Sequence, residues 1–417
     1  MIFLSFTCNK KKDQDLVPQI KLSISGPYTT YVDSTVTISV TSVPTSKTYR
    51  YEWTMDGNVI SKDSIFIYKP QQIGEHKLLL TVTTVSGQQS TAPAILEVLK
   101  SSKYKVMGYV PSYKNSNPNS IRWDALTHMF YAFVGVKTSG DLNEVSIISK
   151  LEEMEAQAHQ NGVAILVSIG GGGTSDFSAC ILNDASRKNL IDNLIVFTRN
   201  NKLDGLDIDY EEFEGSATGA TDQDIAKRTA LENLFKELRE KLPADKLLTA
   251  AVSPSWQNPN WGYFNCYTNT MHKYLNYVGL MIYDQTGTFV SSPYSQHSDF
   301  QAHFLPSINH WINNRHLSPE KLIAGVPFYG YKFKSTSGGV ADAISYRDIL
   351  SQNPNDSPEM LDHIGLIYYN GKPTIQQKSQ YVKDNHYGGV MIWELTQDSD
   401  DNNKSLLSVI KTVFSEQ

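Results

Sequence analysis

The 417-residue sequence is poor in cysteine and in clustered metal ligands. It contains only three cysteines, Cys8, Cys180 and Cys266, which are too few for a disulfide framework. None of them has the spacing of a zinc site, and the ten histidines are scattered without an H-E-x-x-H motif. We therefore expect a fold that depends on its hydrophobic core, with no metal ion and no cofactor.

The sequence also lacks a surplus of basic residues and any long apolar run. Its net charge is −6, and its one basic cluster is residues 10–12, so we expect no nucleic-acid partner. No stretch reaches the roughly 18 apolar residues of a membrane-spanning helix. With 40 % hydrophobic residues, the chain is long enough for two or three globular domains.

The first eight residues, MIFLSFTC, form a short apolar run that ends in Cys8 and precedes a polar stretch. This run resembles the end of a bacterial lipoprotein signal, shorter than a complete secretory signal, in which Cys8 would carry the lipid. We therefore interpret residues 1–17 as a signal remnant and polar tether. The expected location is the bacterial cell envelope, anchored to the outer membrane or surface-exposed, or else the periplasm or the exterior. The alternative is that Cys8 is an ordinary thiol.

Residues 18–100 contain short segments of alternating apolar and polar residues, separated by turn signals such as Asp56-Gly57 and Ser86-Gly87. This pattern predicts a small all-β sandwich. The stretch YEWTMDGNVI, in which Trp53 is expected to point inward, resembles immunoglobulin-like and polycystic-kidney-disease-type modules. We interpret this domain as a spacer in preference to a sugar-binding module.

From Tyr104 onward, apolar strand-like segments alternate with amphipathic, helix-like segments such as residues 145–162 and 224–242. Eight such strands predict an α/β domain, a (β/α)₈ TIM barrel over residues 104–417. In such barrels the chemistry lies at the carboxyl ends of the strands. The eight predicted strands are 105–113, 127–136, 163–171, 203–211, 247–254, 277–284, 322–331 and 388–395.

The fourth predicted strand reads LDGLDIDYE and carries Asp207, Asp209 and Glu211 at strict alternation. On a β-strand all three carboxylates then point to one side, and like charges that close raise the pKa of at least one of them. A carboxyl group that stays protonated near neutral pH can act as a general acid. The alternatives are a solvated acidic strand face and a Ca²⁺ or Mg²⁺ site, although the EF-hand pattern would need glycine where Glu212 stands.

A glycine run at 170–173 follows the third predicted strand and could contact a phosphate group. A dinucleotide motif would need glycine at position 175, which is Ser175, and no G-K-[ST] sequence follows. The sequence therefore disfavours a nucleotide site.

Four motifs in order carry a resemblance to a known family. They are D-G-x-D-x-D-x-E at 204–211, S-x-G-G at 168–171, M-x-Y-D at 281–284, and the tryptophan of GGVMIWEL, Trp393. Together they resemble glycoside hydrolase family 18, the chitinases and endo-β-N-acetylglucosaminidases. The resemblance covers residues 104–417.

The resemblance implies roles for five catalytic residues. Glu211 matches the residue that donates a proton to the glycosidic oxygen, and Asp209 matches the carboxylate that orients the 2-acetamido group of the substrate. Asp207 would share a proton with Asp209. Tyr283 matches the hydroxyl that holds the acetamido carbonyl, and Asp284 a carboxylate that binds sugar and supports the acid.

The resemblance also implies a substrate-binding set. Trp393 would form the hydrophobic floor under the distorted sugar. Met281 and Gly171 belong to the matching motifs. Tyr109 and Phe133, at the ends of the first two strands, are expected to wall the same pocket.

The implied activity is retaining hydrolysis of β-1,4 linkages in N-acetylglucosamine-containing glycans, in which the acetamido group of the substrate is the nucleophile. The alternative is a non-catalytic, glycan-binding surface lipoprotein. Two departures bear on the substrate. The motif continues as Glu212-Phe213 where chitinases commonly have W-E-Y-P, and the insertion between Gly330 and Tyr387 looks too small for an α+β subdomain, which predicts a shallow cleft. We also expect a chain that starts near Lys103 to fold and work alone.

Overall fold

The computed structural model describes residues 28–40, 49–114, 116–143, 148–212, 221–254, 267–287, 297–337 and 339–415. Cys8 and the rest of the predicted tether, residues 1–17, lie outside these ranges, as do Phe213 and Cys266. The described chain divides into two compact units. One comprises Thr35–Lys69 and His76–Leu96, and the other comprises Thr29–Ser34, Pro70–Glu75 and the chain from Glu97 onward.

The N-terminal part of the described chain is all β, as predicted. Five of its strands form one sheet in the order β1-β7-β6-β3-β4, and β2 pairs with β5 antiparallel. Trp53 is fully buried and its ring lies 5.1 Å from that of Phe66, which confirms that it points inward. The similarity to immunoglobulin-like modules stays a prediction. The strands are β1 (Tyr28–Tyr31), β2 (Val36–Ser39), β3 (Tyr49–Met55), β4 (Asn58–Ser61), β5 (Ile65–Tyr68), β6 (Gly74–Thr84) and β7 (Gln89–Leu99).

The remainder of the chain begins as a series of parallel strands, each followed by helix or loop. The exception is the short β10, which pairs antiparallel with the end of β9. The strands in this stretch are β8 (Lys105–Pro111), β9 (His128–Val136), β10 (Leu142–Asn143), β11 (Ala164–Gly170), β12 (Gly205–Asp209), β13 (Leu247–Val252), β14 (Tyr277–Leu280) and β15 (Leu322–Pro327).

An insertion follows β15, and it corrects one expectation. Residues 329–368 form a four-stranded antiparallel sheet, β16 (Tyr329–Phe333), β17 (Ala341–Ser345), β18 (His363–Ile364) and β19 (Ile367–Tyr368), in the order β17-β16-β19-β18. One α-helix, α6 (Tyr346–Gln352), and a short 3₁₀ helix (Pro358–Met360) lie between β17 and β18. The prediction that no α+β subdomain would fit was therefore wrong. Two- to five-residue strands need little chain, and pairing within the insertion satisfies their backbone groups.

The last strand, β20 (Gly389–Trp393), closes the barrel. It pairs parallel with β15 on one side and with β8 on the other, and β8 pairs with β9. The eight strands β8, β9, β11, β12, β13, β14, β15 and β20 thus form a closed parallel ring, and the predicted (β/α)₈ barrel is confirmed. Several strands of the ring end earlier than predicted. At the seventh strand the reason is that Tyr329 and Tyr331 belong to the insertion.

Helices surround the ring. Local sequence sets their ends: Asn183 caps α3 (Asp184–Asn200) by accepting from two backbone amides, and Thr221 forms a capping box with Asp224 at the start of α4 (Asp222–Lys241). One turn of wider, π-type helix precedes α5 (Leu305–Asn309) and another follows it. The remaining helices are α1 (Ile148–Gln160), α2 (Ser175–Leu182), α7 (Lys372–Asp384) and α8 (Leu406–Ser415).

Two hydrophobic layers follow from the alternation of side chains along the strands. The larger layer joins strand residues such as Leu206 and Ile208 to helix residues such as Leu231. The smaller layer fills the interior of the barrel and includes Tyr109 and Met391. Side chains of β12 that alternate with Leu206 and Ile208 therefore face the barrel interior.

Residues before the predicted domain boundary belong to the barrel unit. Leu99 is 1 % exposed and packs in the inner layer, together with the half-buried Tyr31. Lys100 donates through Nζ to the carbonyls of Trp123 and Leu126, at 2.8 and 3.4 Å. The barrel unit thus starts at Glu97 and also includes Thr29–Ser34 and Pro70–Glu75, unlike the boundary predicted between residues 100 and 104.

Candidate active site

Asp207 and Asp209 lie on the interior face of β12, and Glu211 follows two residues after the strand ends. Asp207 and Asp209 are 1 % and 4 % exposed, so the alternative of a solvated acidic face is wrong. The intervening Leu206 and Ile208 are fully buried on the other side, as the alternation predicted. Barrel closure encloses the acidic face, which the sequence pattern by itself does not reveal.

Three hydroxyl groups converge on Asp207. Tyr109 Oη and Ser168 Oγ donate to its Oδ2 at 2.8 and 2.7 Å, and Thr249 Oγ1 donates to its Oδ1 at 2.6 Å. Ser168, Asp207 and Thr249 are register partners on three adjacent strands, which sets them at one level of the barrel. Burial raises the pKa of Asp207, and the hydrogen bonds from Thr249, Ser168 and Tyr109 oppose that rise.

Asp209 has a different environment. Within the described ranges, its Oδ1 is buried and has no hydrogen-bond partner. Burial, followed by the negative charges of Glu211 and Asp207, raises its pKa well above the ordinary value. The protonated form of Asp209 is therefore favoured, and its titration depends on the charges of Glu211 and Asp207.

The glycine run after β11 packs against this row. A side chain at Gly170 would place its Cβ 1.9 Å from the carbonyl oxygen of Asp209, and the Gly171 amide donates to the same oxygen at 2.8 Å. Both glycines have positive φ, 110° and 84°. A Cβ at Gly171 would lie 2.9 Å from the Phe133 ring. The run therefore provides a close approach between the backbone and the acidic strand.

Tyr283 and Asp284 follow β14 at the same end of the barrel. Tyr283 is buried, and burial followed by the charge of Asp209 raises its pKa, so it stays a neutral phenol. The Asp284 side chain is surrounded largely by protein atoms, and part of it is exposed to solvent. Its Oδ1 accepts hydrogen bonds from the hydroxyls of Tyr329 and, at 2.9 Å, Tyr331. Burial raises the pKa of Asp284, and the two tyrosine hydrogen bonds oppose the rise.

An aromatic group adjoins the acids. The half-buried Trp393 ring lies 5.5 Å from Tyr109 and 6.0 Å from Phe133, measured between ring centroids, and it is stacked on Phe133. Met281 is half-buried and packs on the same inner layer. The structure thus brings all the predicted barrel residues of the site together at the carboxyl ends of the strands. Tyr109 also contacts the acids directly, through Asp207.

Sequence reasoning missed several residues of this site. Thr249, Tyr329 and Tyr331 had a usable signal, because Thr249 lies in the fifth predicted strand and both tyrosines lie near the end of the seventh predicted strand, 322–331. Lys114 and Glu394 had none, since they are 280 residues apart in the chain. Glu394 follows Trp393, is 1 % exposed, and accepts from Lys114 Nζ at 2.6 Å and from Thr396 Oγ1 at 2.7 Å. This network fixes the chain just after Trp393.

Among the residues that the structure describes, no group of three or more histidine, cysteine or acidic side chains is arranged to hold a metal ion. In the same ranges, none of the helices is both long and apolar enough to cross a membrane. The chemistry that the arrangement supports is proton transfer. A buried carboxyl group with a raised pKa, a neighbouring carboxyl group in partial contact with solvent and a neutral phenol lie together beside an aromatic surface.

Comparisons with known proteins agree with this geometry. The model of the family "Glycosyl hydrolases family 18" matches residues 105–398. A chitinase from Bacteroides thetaiotaomicron has a similar structure, with a TM-score of 0.66 and 32 % identity over 75 % of this chain and 97 % of that chain. "Probable chitinase 10" of Drosophila melanogaster is 26 % identical over 365 residues, which are 74 % of this chain and only 16 % of that protein.

A third comparison concerns the fold alone. A mutant class V chitinase from Nicotiana tobaccum, solved in complex with NAG4, is similar to this chain with a TM-score of 0.63 and 22 % identity. The match covers 74 % of this chain and 98 % of that chain.

Proposed function

The chain belongs to family 18 of the glycosyl hydrolases, and on that premise we propose that it is a retaining glycosidase. Its proposed substrates are chitin oligosaccharides or the core of N-glycans, cleaved at β-1,4 linkages beside N-acetylglucosamine. One observation carries the proposal: at the carboxyl end of the barrel, Asp207 and Asp209 lie buried on the inner face of β12, and Glu211 follows two residues after the strand ends.

Glu211 is the proposed general acid. It is half-buried, and its Oε1 would lie 3.8 Å from a Cβ at Gly172, at the edge of the row. In the first step the Glu211 proton passes to the glycosidic oxygen as the bond from that oxygen to the anomeric carbon breaks. The substrate's acetamido oxygen forms the new bond to that carbon, giving an oxazolinium ion. Water then opens the ion, Glu211 takes the proton of that water, and the configuration is retained.

Asp209 is the proposed partner of the acetamido group. Its buried Oδ1, unpaired within the described ranges, is free to accept a hydrogen bond from the acetamido N–H. As positive charge develops on that nitrogen, its N–H becomes a stronger donor and the hydrogen bond to Asp209 strengthens. Asp207, when ionised, accepts three hydroxyl hydrogen bonds and also favours this positive charge.

Tyr283 and Asp284 are proposed to hold the reacting sugar. The Tyr283 hydroxyl is neutral and can donate to the acetamido carbonyl oxygen, which aims that oxygen at the anomeric carbon. Asp284 is open to solvent, and its remaining acceptor capacity can bind a sugar hydroxyl, while Tyr329 and Tyr331 hold it in place. Trp393 offers the apolar surface under the ring.

The substrate class rests on the family and on the insertion. The insertion places Tyr329 and Tyr331 against Asp284, so the cleft has a wall of tyrosine on that side. A walled cleft favours a linear oligosaccharide over a branched one. We therefore place chitin oligosaccharides before N-glycans as the proposed substrate.

The test compares products from chitohexaose and from a high-mannose glycoprotein. The expected result is shorter N-acetylglucosamine oligomers from chitohexaose and little release of glycan from the glycoprotein. The reverse result would move the proposal to endo-β-N-acetylglucosaminidase action. Tight binding of chitohexaose with no hydrolysis of either substrate would favour the non-catalytic binding protein.

The location in the bacterial cell envelope is a separate proposal, supported only by the run that ends in Cys8. Growing the cells that produce the protein in the presence of labelled palmitate tests the lipid anchor at Cys8. We expect label in the native chain and none after Cys8→Ala, and an unlabelled native chain would contradict the anchor.

A further inference from the structure

A cavity of about 520 Å³ lies at the amino-terminal end of the barrel. It is framed by residues at or just before the start of four neighbouring strands, β14, β15, β20 and β8: Tyr277, Lys321, Gly388 and Lys105. Because the barrel strands are parallel, the carboxyl groups of the active site lie at the opposite end, roughly 15 to 20 Å away along strands of this length. The proposed hydrolysis makes no use of this cavity.

The lining of the cavity is strongly basic. It contains five lysine and arginine side chains and a single acidic one, Glu320, in a chain whose net charge is −6. His386 adds a sixth group that can carry positive charge. The five cations are Lys103, Lys105, Arg239, Lys273 and Lys321. Positive charge is thus concentrated at one site of an acidic protein.

In the described part of the chain, none of the five cations forms an ion pair within 4 Å of a carboxylate. Three of them are held by backbone carbonyls instead. Arg239 donates to the carbonyls of Lys246 and Leu242 at 2.9 and 3.0 Å. Lys321 donates to those of His272 and Leu275 at 2.9 and 2.7 Å, and Lys105 donates to that of Ser102. Carbonyl oxygens orient these cations without neutralising them.

The other two cations lie at exposed positions over aromatic rings. Lys103 Nζ is 5.1 Å from the centroid of the Tyr104 ring, and Lys273 Nζ is 4.8 Å from that of Tyr274. Their long side chains can move to meet a ligand. The cavity thus combines three oriented cations with two adaptable ones.

The half-buried cations carry an electrostatic cost. Burial lowers the pKa of Lys105, Arg239 and Lys321, and the charges of Asp245 and Glu320 offset this only in part for the last two. Charges removed from water are normally paired. An anion in the cavity would supply the missing partner.

We propose that this cavity binds a ligand that carries phosphate groups, at a site independent of the active site. A phosphate group has up to two negative charges near neutral pH and several acceptor oxygens, so it can engage two or three of the cations at once. A single carboxylate would leave most of them unpaired. The same chemistry occurs in a soluble phosphorylated molecule and in the headgroup of an anionic lipid.

The experiment uses the full chain and two probes. Pyrophosphate is titrated calorimetrically at low and at physiological ionic strength. In parallel, the protein is sedimented with vesicles of phosphatidylglycerol and phosphatidylcholine, with phosphatidylcholine vesicles as the blank. We expect saturable binding of pyrophosphate at one site, weakened by salt. Binding to the anionic vesicles alone would also support the site and identify a lipid headgroup as the source.

Two matched double variants separate the cavity from overall charge. Lys103→Glu with Lys273→Glu reverses two cations of the cavity, and Lys188→Glu with Lys236→Glu makes the same change in net charge at exposed positions outside its lining. We expect the first to weaken binding at least about tenfold, equivalent to about 1.4 kcal/mol, and the second to have little effect. Both should hydrolyse oligosaccharides at the native rate.

Two results would overturn the proposal. One is the absence of binding to both probes by the native protein at low ionic strength. The other is equal weakening in the two double variants, because the net charge of the protein and not the cavity would then govern binding.

Discussion

Asp207 and Asp209 lie two residues apart on one face of β12, yet only Asp207 is saturated with hydrogen-bond donors. Three hydroxyl groups donate to Asp207, whereas Oδ1 of Asp209 has no partner among the described residues. Both carboxyl groups are buried, so burial raises the pKa of each, and the donors offset the rise only at Asp207. The pKa of Asp209 is therefore raised more strongly than that of Asp207.

Glu211→Gln should abolish turnover while binding of chito-oligosaccharides persists. The amide keeps the shape of the side chain but cannot donate a proton, and general acid catalysis contributes about 10²- to 10⁴-fold. The measurement is kcat together with calorimetric affinity. The neighbouring Glu212→Gln is the matched control and should keep near-native kcat. Near-native kcat in Glu211→Gln would remove Glu211 from its role.

Asp209→Asn should lower kcat strongly and yet stabilise the fold near neutral pH. The pKa of Asp209 is raised in the folded protein, so above the unfolded pKa of about 3.9 the unfolded state binds fewer protons than the folded one. The free energy of unfolding of the native protein therefore falls as pH rises from about 4 toward the folded pKa, by up to about 1.4 kcal/mol per unit of pKa elevation. Because the amide in Asp209→Asn does not ionise, this contribution to the fall in the free energy of unfolding is absent from the variant.

Urea unfolding of both proteins across this pH range measures the effect. Asp207→Asn is the contrast, because it replaces an acceptor that three hydroxyl groups share. We expect that variant to be destabilised by about 1 to 3 kcal/mol. If the free energies of unfolding of the native protein and of Asp209→Asn changed with pH in parallel, Asp209 would be ionised in the folded protein.

Tyr109→Phe should move the acid limb of the pH profile of kcat/KM to higher pH. The hydroxyl donates to Asp207 at 2.8 Å and opposes the effect of burial, so its removal raises the pKa of Asp207. Loss of a hydrogen bond to a charged group costs about 1.5 to 3 kcal/mol, which predicts a fall of roughly tenfold or more in kcat. Ser168→Ala should act in the same direction.

Tyr346→Phe is the control for Tyr109→Phe. It also removes a buried hydroxyl, which donates to the Lys404 carbonyl far from the acids along the chain. It should alter stability without moving the pH profile. Equal profiles for Tyr109→Phe and the native enzyme would exclude Asp207 from the coupled set.

Tyr331→Phe should raise KM more than it lowers kcat. Its hydroxyl donates to Asp284 at 2.9 Å, so its loss leaves Asp284 less firmly oriented and with a higher pKa. Steady-state kinetics on chitohexaose separates the two constants. Tyr369→Phe serves as the control, since the Tyr369 hydroxyl donates to the Pro358 carbonyl. An unchanged KM in Tyr331→Phe would show that Asp284 does not bind the substrate.

A chain that starts at Lys103 should be much less stable than the full chain, in contrast to the expectation from sequence. It would lack Leu99, which packs in the barrel interior, and Glu97, which lies 3.4 Å from His159. The point variant Leu99→Ala tests the same contact and should cost about 2 to 5 kcal/mol. The exposed Val59→Ala should cost less than about 0.5 kcal/mol. Native stability in the shortened chain would restore the earlier domain boundary.

Much of this protein could be predicted from its sequence, because the informative patterns are local. Strict alternation in LDGLDIDYE predicted a strand with Asp207 and Asp209 on one side and Leu206 and Ile208 buried on the other. Eight apolar segments separated by helical ones predicted the parallel barrel, and that fold in turn predicted the end at which the acids lie. Four motifs were enough to indicate family 18.

Contacts between distant parts of the chain could not be predicted from these local patterns. The three donors to Asp207 come from β8, β11 and β13, and barrel closure alone brings them to one carboxyl. The insertion escaped prediction because its strands have two to five residues, too few to show a period. Leu99 looked like the end of a β-sandwich strand until the structure placed it in the barrel interior.

The sequence by itself determined the barrel and the acidic strand and pointed to the groups proposed to react, since periodicity and residue type are properties of neighbours in the chain. Only the tertiary structure decided which aspartate accepts three hydroxyl hydrogen bonds, what holds Asp284, and where, within the described ranges, cations without a carboxylate partner gather at the amino-terminal end of the barrel. A pKa depends on burial and on partners within a few ångströms, and those partners come from strands far apart in sequence.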